Sequence, residues 1–219
     1  MKKHEGLSKY KFKRLAVESL RNSIRLHLDS ISLFEIGSYP SAFQLSVLAL
    51  EEFSKSQWLE HYIYTAETND GYPDKEFENK WLRLLYSHPE KQWAFIARDL
   101  TDFSPTFSEF VENGKLEQKK QSATYVSLPR IKGKVDIGGR ISVPIVKIKL
   151  KDAKQLISFI NSEFLTICWR IHDDEFYFDV EGMDEVFNDP IFMKLLSWPY
   201  KSRIRSRAWY IHWRKKWAN

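Results

Sequence analysis

Between Tyr10 and Ile36 the apolar residues Phe12, Leu15, Leu20, Ile24, Leu28, Ile31 and Phe34 recur every three to five positions. That is the period of an amphipathic α-helix. Gly37, Ser38, Tyr39 and Pro40 interrupt it. A second helix is predicted from Ser41 to about Thr68, and Phe43, Leu45, Val47, Leu48, Ala49, Leu50 and Phe53 make it apolar nearly all round, as a helix surrounded by others is. After an Asn-Asp-Gly-Tyr-Pro turn, residues 74–86 read as a helix with Phe77, Trp81, Leu84 and Leu85 inward. Proline suits the first turn of a helix and disfavours helical geometry just before it, so Ser87-His88-Pro89 marks a break and a new start at Pro89. One further helix is expected over 104–122.

The period then changes. Residues 125–150 are rich in Val and Ile, hold Pro129 and Pro144, and contain Ile137-Gly138-Gly139-Arg140, a two-residue turn signal that predicts a small β-hairpin. Helical spacing returns over 151–171, and a shorter helix over 184–198 is interrupted near Pro190. The tail from Ser202 also reads as helical. The expectation is a mainly α, up-and-down helical bundle over 1–200 with a hairpin excursion at 125–150, followed by a basic aromatic tail, 201–219.

The aromatic mass, 15% of 219 residues, excludes low-complexity and wholly disordered classes. The single cysteine, Cys168, lies in an apolar stretch and cannot form an internal disulfide, which fits a reducing cytoplasm. The longest strongly apolar uncharged run, 36–50, is broken by Gly37, Ser38 and Pro40, so no membrane span is expected. The net charge of +5 is uneven: residues 1–14 hold six Lys/Arg against one acid, and 201–217 hold seven with none. The body is acidic and both ends are basic.

The chain lacks a phosphate loop, GxGxxG, GxSxG and paired cysteines, which sets aside nucleotide-fold enzymes, serine hydrolases and zinc modules. His172-Asp173-Asp174-Glu175 has metal-ligating types but too few companions, and reads as a solvated helix end; no metal and no cofactor are expected. Two features carry more. In the second helix Glu52 and Lys55 share a face with Ala42, Leu45, Leu48, Ala49 and Leu59, and Glu51 sits beside them. Charges in an apolar face need partners. Glu51 or Glu52 with Lys55 is one local pairing, with Arg21, Asn22 or Asp29 of the first helix available; an internal salt-bridge cluster and a functional site both fit. The second feature is Arg83-Leu-Leu-Tyr-Ser-His88-Pro-Glu-Lys91. An arginine and a histidine at a helix start suffice for metal-free RNA cleavage. Histidine takes the ribose 2′-hydroxyl proton, and guanidinium balances charge at phosphorus. The same Arg-to-His spacing recurs at Arg21–His27 and Arg207–His212, so the pattern alone does not choose.

The tail places Arg203, Arg205, Arg207, Trp209, Trp213 and Lys215 together, a mixture of bases and aromatics suited to single-stranded nucleic acid. The competing reading docks it on the acidic segment 173–189 of the same chain, with its tryptophans packed; an amphipathic helix at a membrane surface is a lesser third.

Ser41 through Lys55, with its Leu-Glu-Glu-Phe-Ser-Lys run, then His88-Pro89-Glu90-Lys91, Lys120-Gln121-Ser122-Ala123-Thr124-Tyr125-Val126 and Pro144 together resemble the AbiV family of bacterial abortive-infection proteins, in the HEPN superfamily. The likeness spans about residues 15–170. It implies an all-α bundle, usually a homodimer, whose paired Arg and His residues form a metal-independent endoribonuclease site that arrests translation in a phage-infected cell. On matching residues, Glu51, Glu52, Lys55, His88 and Lys91 carry over as the polar set that orders the site or contacts phosphate, and Arg83 with His88 fits the wider HEPN pattern as the catalytic pair. Arg21-Asn22 on the first helix resembles that motif as well, which leaves the choice between Arg83 and Arg21 open. RNA is the implied partner, with a phage-encoded activator or an antitoxin as a further one. Some HEPN proteins only bind, so a non-catalytic module for RNA, a ribosomal component or a phage protein is the alternative.

Overall fold

The computed structural model describes residues 9–68, 75–97, 102–128, 130–131, 134–174, 177–209 and 211. The described chain is mainly helical: α1 (Lys9–Glu35), α2 (Tyr39–Thr68), α3 (Lys75–Leu84), α4 (His88–Ala97), α5 (Pro105–Glu112), α6 (Lys115–Thr124), α7 (Pro144–Lys147), α8 (Leu150–Asp174) and α9 (Asp189–Leu196). Gly37 explains the first reversal. At φ +80° it takes the left-handed conformation that closes helices. Its N–H donates to Phe34 O and that of Ser38 to Leu33 O at 2.9 Å, while Ser38 O accepts from Ala42 to begin α2. Three residues therefore end one long helix and start the next.

α2 is the hub, in contact with α1, α4, α6 and α8. Small residues let α1 approach it closely: Ala16, Ser19 and Ser23 of α1 and Ala42, Ser46 and Ala49 of α2 are buried, and Ser23 Oγ donates to Ala49 O at 2.6 Å. On the far side Phe53 meets Phe95 of α4 and Phe164 of α8 at 5.8 and 5.3 Å between ring centroids. Phe159 of α8 lies edge-on to Phe95 and Phe107. Phe53, Phe95, Phe159 and Phe164 are fully buried; truncating any one to alanine costs about 3–5 kcal/mol.

Three expectations are corrected. The helix expected over 104–122 is two, α5 and α6, because Gly114 at φ +66° permits a left-handed turn after Asn113, whose N–H is already bonded to Glu109 O. The hairpin reduces to β1 (Arg130–Ile131) and β2 (Lys134–Val135), paired antiparallel, with a lone bridge between Ser127 and Ser142. Gly138-Gly139 follows β2 instead of linking the strands, and α7 occupies the rest of that segment. Pro190 initiates α9 instead of interrupting it: Asn188 caps the helix through Ile191 N, with proline in the first turn.

The tail is non-helical from Ser202 to Ser206 and turns helical at Arg207, so among the described residues the helix expected from Ser202 is met only in its later part. Arg205 bridges Phe103 in antiparallel fashion, Ser104 N donates to Ile204 O and Ser206 N to Asp102 O. Among the described residues no helix is long and apolar enough to cross a membrane.

Candidate functional site

Where α2, α4 and α6 meet, the centre is Glu51, 1% exposed. Its Oε2 lies 2.6 Å from His88 Nδ1. Its Oε1 accepts from Gln92 Nε2 at 2.7 Å and from Lys120 Nζ at 2.8 Å. Helical spacing makes this possible, since His88 and Gln92 are one turn apart on α4 and present to the same point of α2. Gln92 and Lys120 also donate to Glu117 Oε2 at 2.8 and 2.7 Å. Lys91 Nζ sits 3.9 Å from both Glu51 and Glu52, and Glu52 Oε2 takes Lys55 at 3.5 Å and Asn22 Nδ2 at 3.3 Å. Three carboxylates thus meet three ammonium groups around a histidine. Buried charges persist only when matched in this way.

The surroundings shift two groups. Burial lowers the Lys91 ammonium below its ordinary value, although Glu51 and Glu52 pull it up. Burial alone would raise the Glu117 carboxyl, but hydrogen bonds from Lys120 and Gln121 hold it below the usual range. A carboxylate can only accept, so with Glu51 ionised the His88 proton sits on Nδ1 and Nε2 is left for another partner. The His88 side chain is 51% exposed: one edge is anchored in the core and the other faces solvent.

The expected residues divide as follows. Glu51, Glu52, Lys55, Lys91, His88 and Asn22 come together. Lys55 also lies 5.7 Å from the Tyr86 ring centroid. Arg83, in the last turn of α3, is exposed; among the described residues no hydrogen bond or ion pair ties it to the cluster. Arg21 pairs with Glu18 at 3.1 Å on the outer face of α1. Arg25, which the sequence reading did not single out, donates to Asn22 Oδ1 at 2.9 Å and so reaches the cluster through it. Gln92, Glu117 and Lys120 were also passed over as site residues. The signal available was the i, i+3 spacing of Glu117 and Lys120 in a helix that must cover α2.

The second Arg-to-His pattern makes no site. Six positions turn His27 away from Arg21 and into the core, fully buried, with Nε2 3.0 Å from Asn161 Oδ1 of α8. Burial pushes its pKa down to about 4. His212 of the third pattern, with Trp213 and Lys215, lies outside the described residues. In the tail, Arg205 is buried and ion-pairs with Glu163, its guanidinium over the rings of Phe159 and Trp209 at 4.8 and 4.6 Å. Trp209 is buried as well. Neither is surface for nucleic acid, which leaves Arg203 and Arg207 exposed. Among the described residues the acid that receives the tail is Glu163, which supports the intramolecular reading in kind, with Arg205 as the docked base. His172 and Asp173 are exposed at the end of α8, 3.5 Å apart. Among the described residues no group of three His, Cys, Asp or Glu is placed to hold a metal ion.

No curated protein and no solved structure matches the chain. A family model does: the one described as AbiV, of the HEPN group, covers residues 11–162.

Proposed function

The chain belongs to the AbiV family of abortive-infection proteins in the HEPN group, and on that premise we propose that it is an antiphage toxin that cleaves RNA without metal, using His88. The observation that carries this reading is the half-exposed imidazole with Nδ1 2.6 Å from the buried Glu51 carboxylate. Such an anchor fixes tautomer and ring orientation before substrate arrives. Nε2 takes the ribose 2′-hydroxyl proton, the 2′ oxygen forms a bond to phosphorus, and the bond to the 5′ oxygen breaks. That oxygen takes a proton from solvent, leaving a 2′,3′-cyclic phosphate and a 5′-hydroxyl. Guanidinium charge on the phosphate comes from Arg83 or, across the α1 face, from Arg21. Glu51, Glu52, Lys55, Lys91 and Asn22 order the site.

A homodimer is part of the proposal. Val135, Ile137, Ile141, Ile145 and Val146 are exposed within twelve residues of sequence, apolar side chains that a second copy would cover. Light scattering on the purified chain, at twice the monomer mass, is the expected outcome.

The main test is cleavage of bulk cellular RNA by wild type and His88→Ala side by side in EDTA, with end-group analysis. General acid or base catalysis is typically worth about 100- to 10,000-fold, and a loss of that size with cyclic-phosphate ends in the wild type is expected. Wild-type cleavage by the variant refutes the role of His88. The position of Arg83, outside the cluster, favours the second reading, a non-catalytic RNA-binding module. Such a protein retards RNA with no new ends, and its affinity falls steeply with salt.

A further inference from the structure

A cavity of about 740 Å³ opens where the next turns of α2 and α4 meet the segment 177–179. Its walls include Trp58 and Tyr64 of α2, Trp93 of α4 and Tyr177, and its polar groups include the carboxylates of Glu60 and Asp179. Glu60 Oε1 accepts the Asp179 N–H at 3.0 Å, which holds the segment against α2. Arg170 lies 5.4 Å from the Tyr177 ring centroid and steadies that wall. The cavity has the size of a small-molecule site.

We propose that this cavity is a base-recognition subsite that takes a nucleobase with an exocyclic amino group, from the same strand that presents its phosphate to His88. The proposal rests on the nuclease reading. Among the described residues no Lys or Arg lines the cavity, whose other polar side chains include Ser54, Gln57 and His61; its two carboxylates disfavour phosphate and accept N–H donors. Aromatic walls stack any flat base, at a gain on the order of ten- to a hundredfold in affinity per base. A carboxylate then selects, because cytosine N4 donates to Glu or Asp where uracil offers an acceptor. Trp93 follows His88 by five residues and Trp58 follows Glu51 by seven, which at 1.5 Å per residue is roughly 7–10 Å along the helix axes. A stacked strand covers that span in about two to three nucleotides at ~3.4 Å each.

The test uses 2′-O-methyl octamers of cytidine and uridine, which lack the attacking hydroxyl, so binding is read without any cleavage. The wild-type chain should bind the cytidine octamer about tenfold more tightly, the worth of one hydrogen bond to a charged acceptor. The double variant Glu60→Gln, Asp179→Asn keeps the shape of both side chains and a carbonyl oxygen for the Asp179 N–H; it should bring the ratio near one and leave uridine affinity unchanged. Trp93→Ala should weaken both octamers together. Equal binding of the two by wild type, no binding of either, or a ratio unmoved in the double variant overturns the proposal. If discrimination persists while RNA cleavage fails, the subsite stands and the nuclease reading falls; cleavage with no discrimination means the reverse.

Discussion

Replacing Glu51 by glutamine should be among the most destabilising single changes in the α2–α4–α6 contact. The substitution keeps shape and removes one negative charge that is 1% exposed and bonded to His88, Gln92 and Lys120. Two carboxylates would then face three ammonium groups, and the new amide N–H₂ would find an acceptor only if His88 moved its proton from Nδ1 to Nε2. Breaking one member of a buried ion pair costs about 3–5 kcal/mol, against a total stability of roughly 5–15 kcal/mol for a folded domain. With a urea m-value of about 3 kcal/mol/M the midpoint should fall by roughly 1–1.7 M. Lys120→Met alone should also destabilise, since it strips Glu51 and Glu117 of their closest cation. Glu51→Gln with Lys120→Met restores the balance at two charges of each sign. Swapping a buried pair for neutral groups is often nearly free, so the double variant should lie within about 1–2 kcal/mol of wild type. A non-additivity of at least ~2 kcal/mol in the cycle is expected. A Glu51→Gln variant within ~1 kcal/mol of wild type, or a double variant as costly as the two singles together, refutes the idea that charge matching governs this cluster.

Three further outcomes follow from the same geometry. His27 is buried with its pKa lowered from 6.5 to about 4, so the unfolded chain binds the proton first; stability complete above pH 6.5 should fall by about 3 kcal/mol by pH 4, with that portion of the pH dependence absent from His27→Gln in urea melts. Burial pushes the Cys168 thiol up to about 12, so a disulfide reagent at pH 8 should label it only after denaturation. Arg205→Met should cost about 3–5 kcal/mol by leaving the Glu163 charge in the core and should open 202–209 to limited proteolysis, whereas removing exposed Arg203 and Arg207 should leave the urea midpoint within about 0.5 kcal/mol.

Local pattern alone determined much of this protein. The three-to-five spacing of Phe12, Leu15, Leu20, Ile24, Leu28, Ile31 and Phe34 specifies α1 because a surface helix has only one face to bury. Gly37 and Pro40 specify the reversal, since the left-handed turn and the proline at a helix start are properties of single residues. The apolar girth of α2 made it central before any neighbour was known. Charges in α2, and a histidine at the Ser87-His88-Pro89 break, were legible as chemistry for the same reason: each is costly or unusual in its own stretch of chain. Which charges meet was decided only by the tertiary structure. Glu51 and Glu52 are adjacent in sequence, and helical period alone put Glu52 on the inner face. The packing of α4 and α6 on α2 buries Glu51 and leaves Glu52 partly exposed. Gln92 has no local mark, and the i, i+3 spacing of Glu117 and Lys120 does not point to Glu51, because that partner lies 41 residues from Gln92 and 69 from Lys120. Arg205 and Trp209 look like a nucleic-acid surface in sequence, and Glu163 draws them into the core. Composition records what a side chain is able to do, whereas burial and pairing depend on which helices pack together, a property of the whole chain.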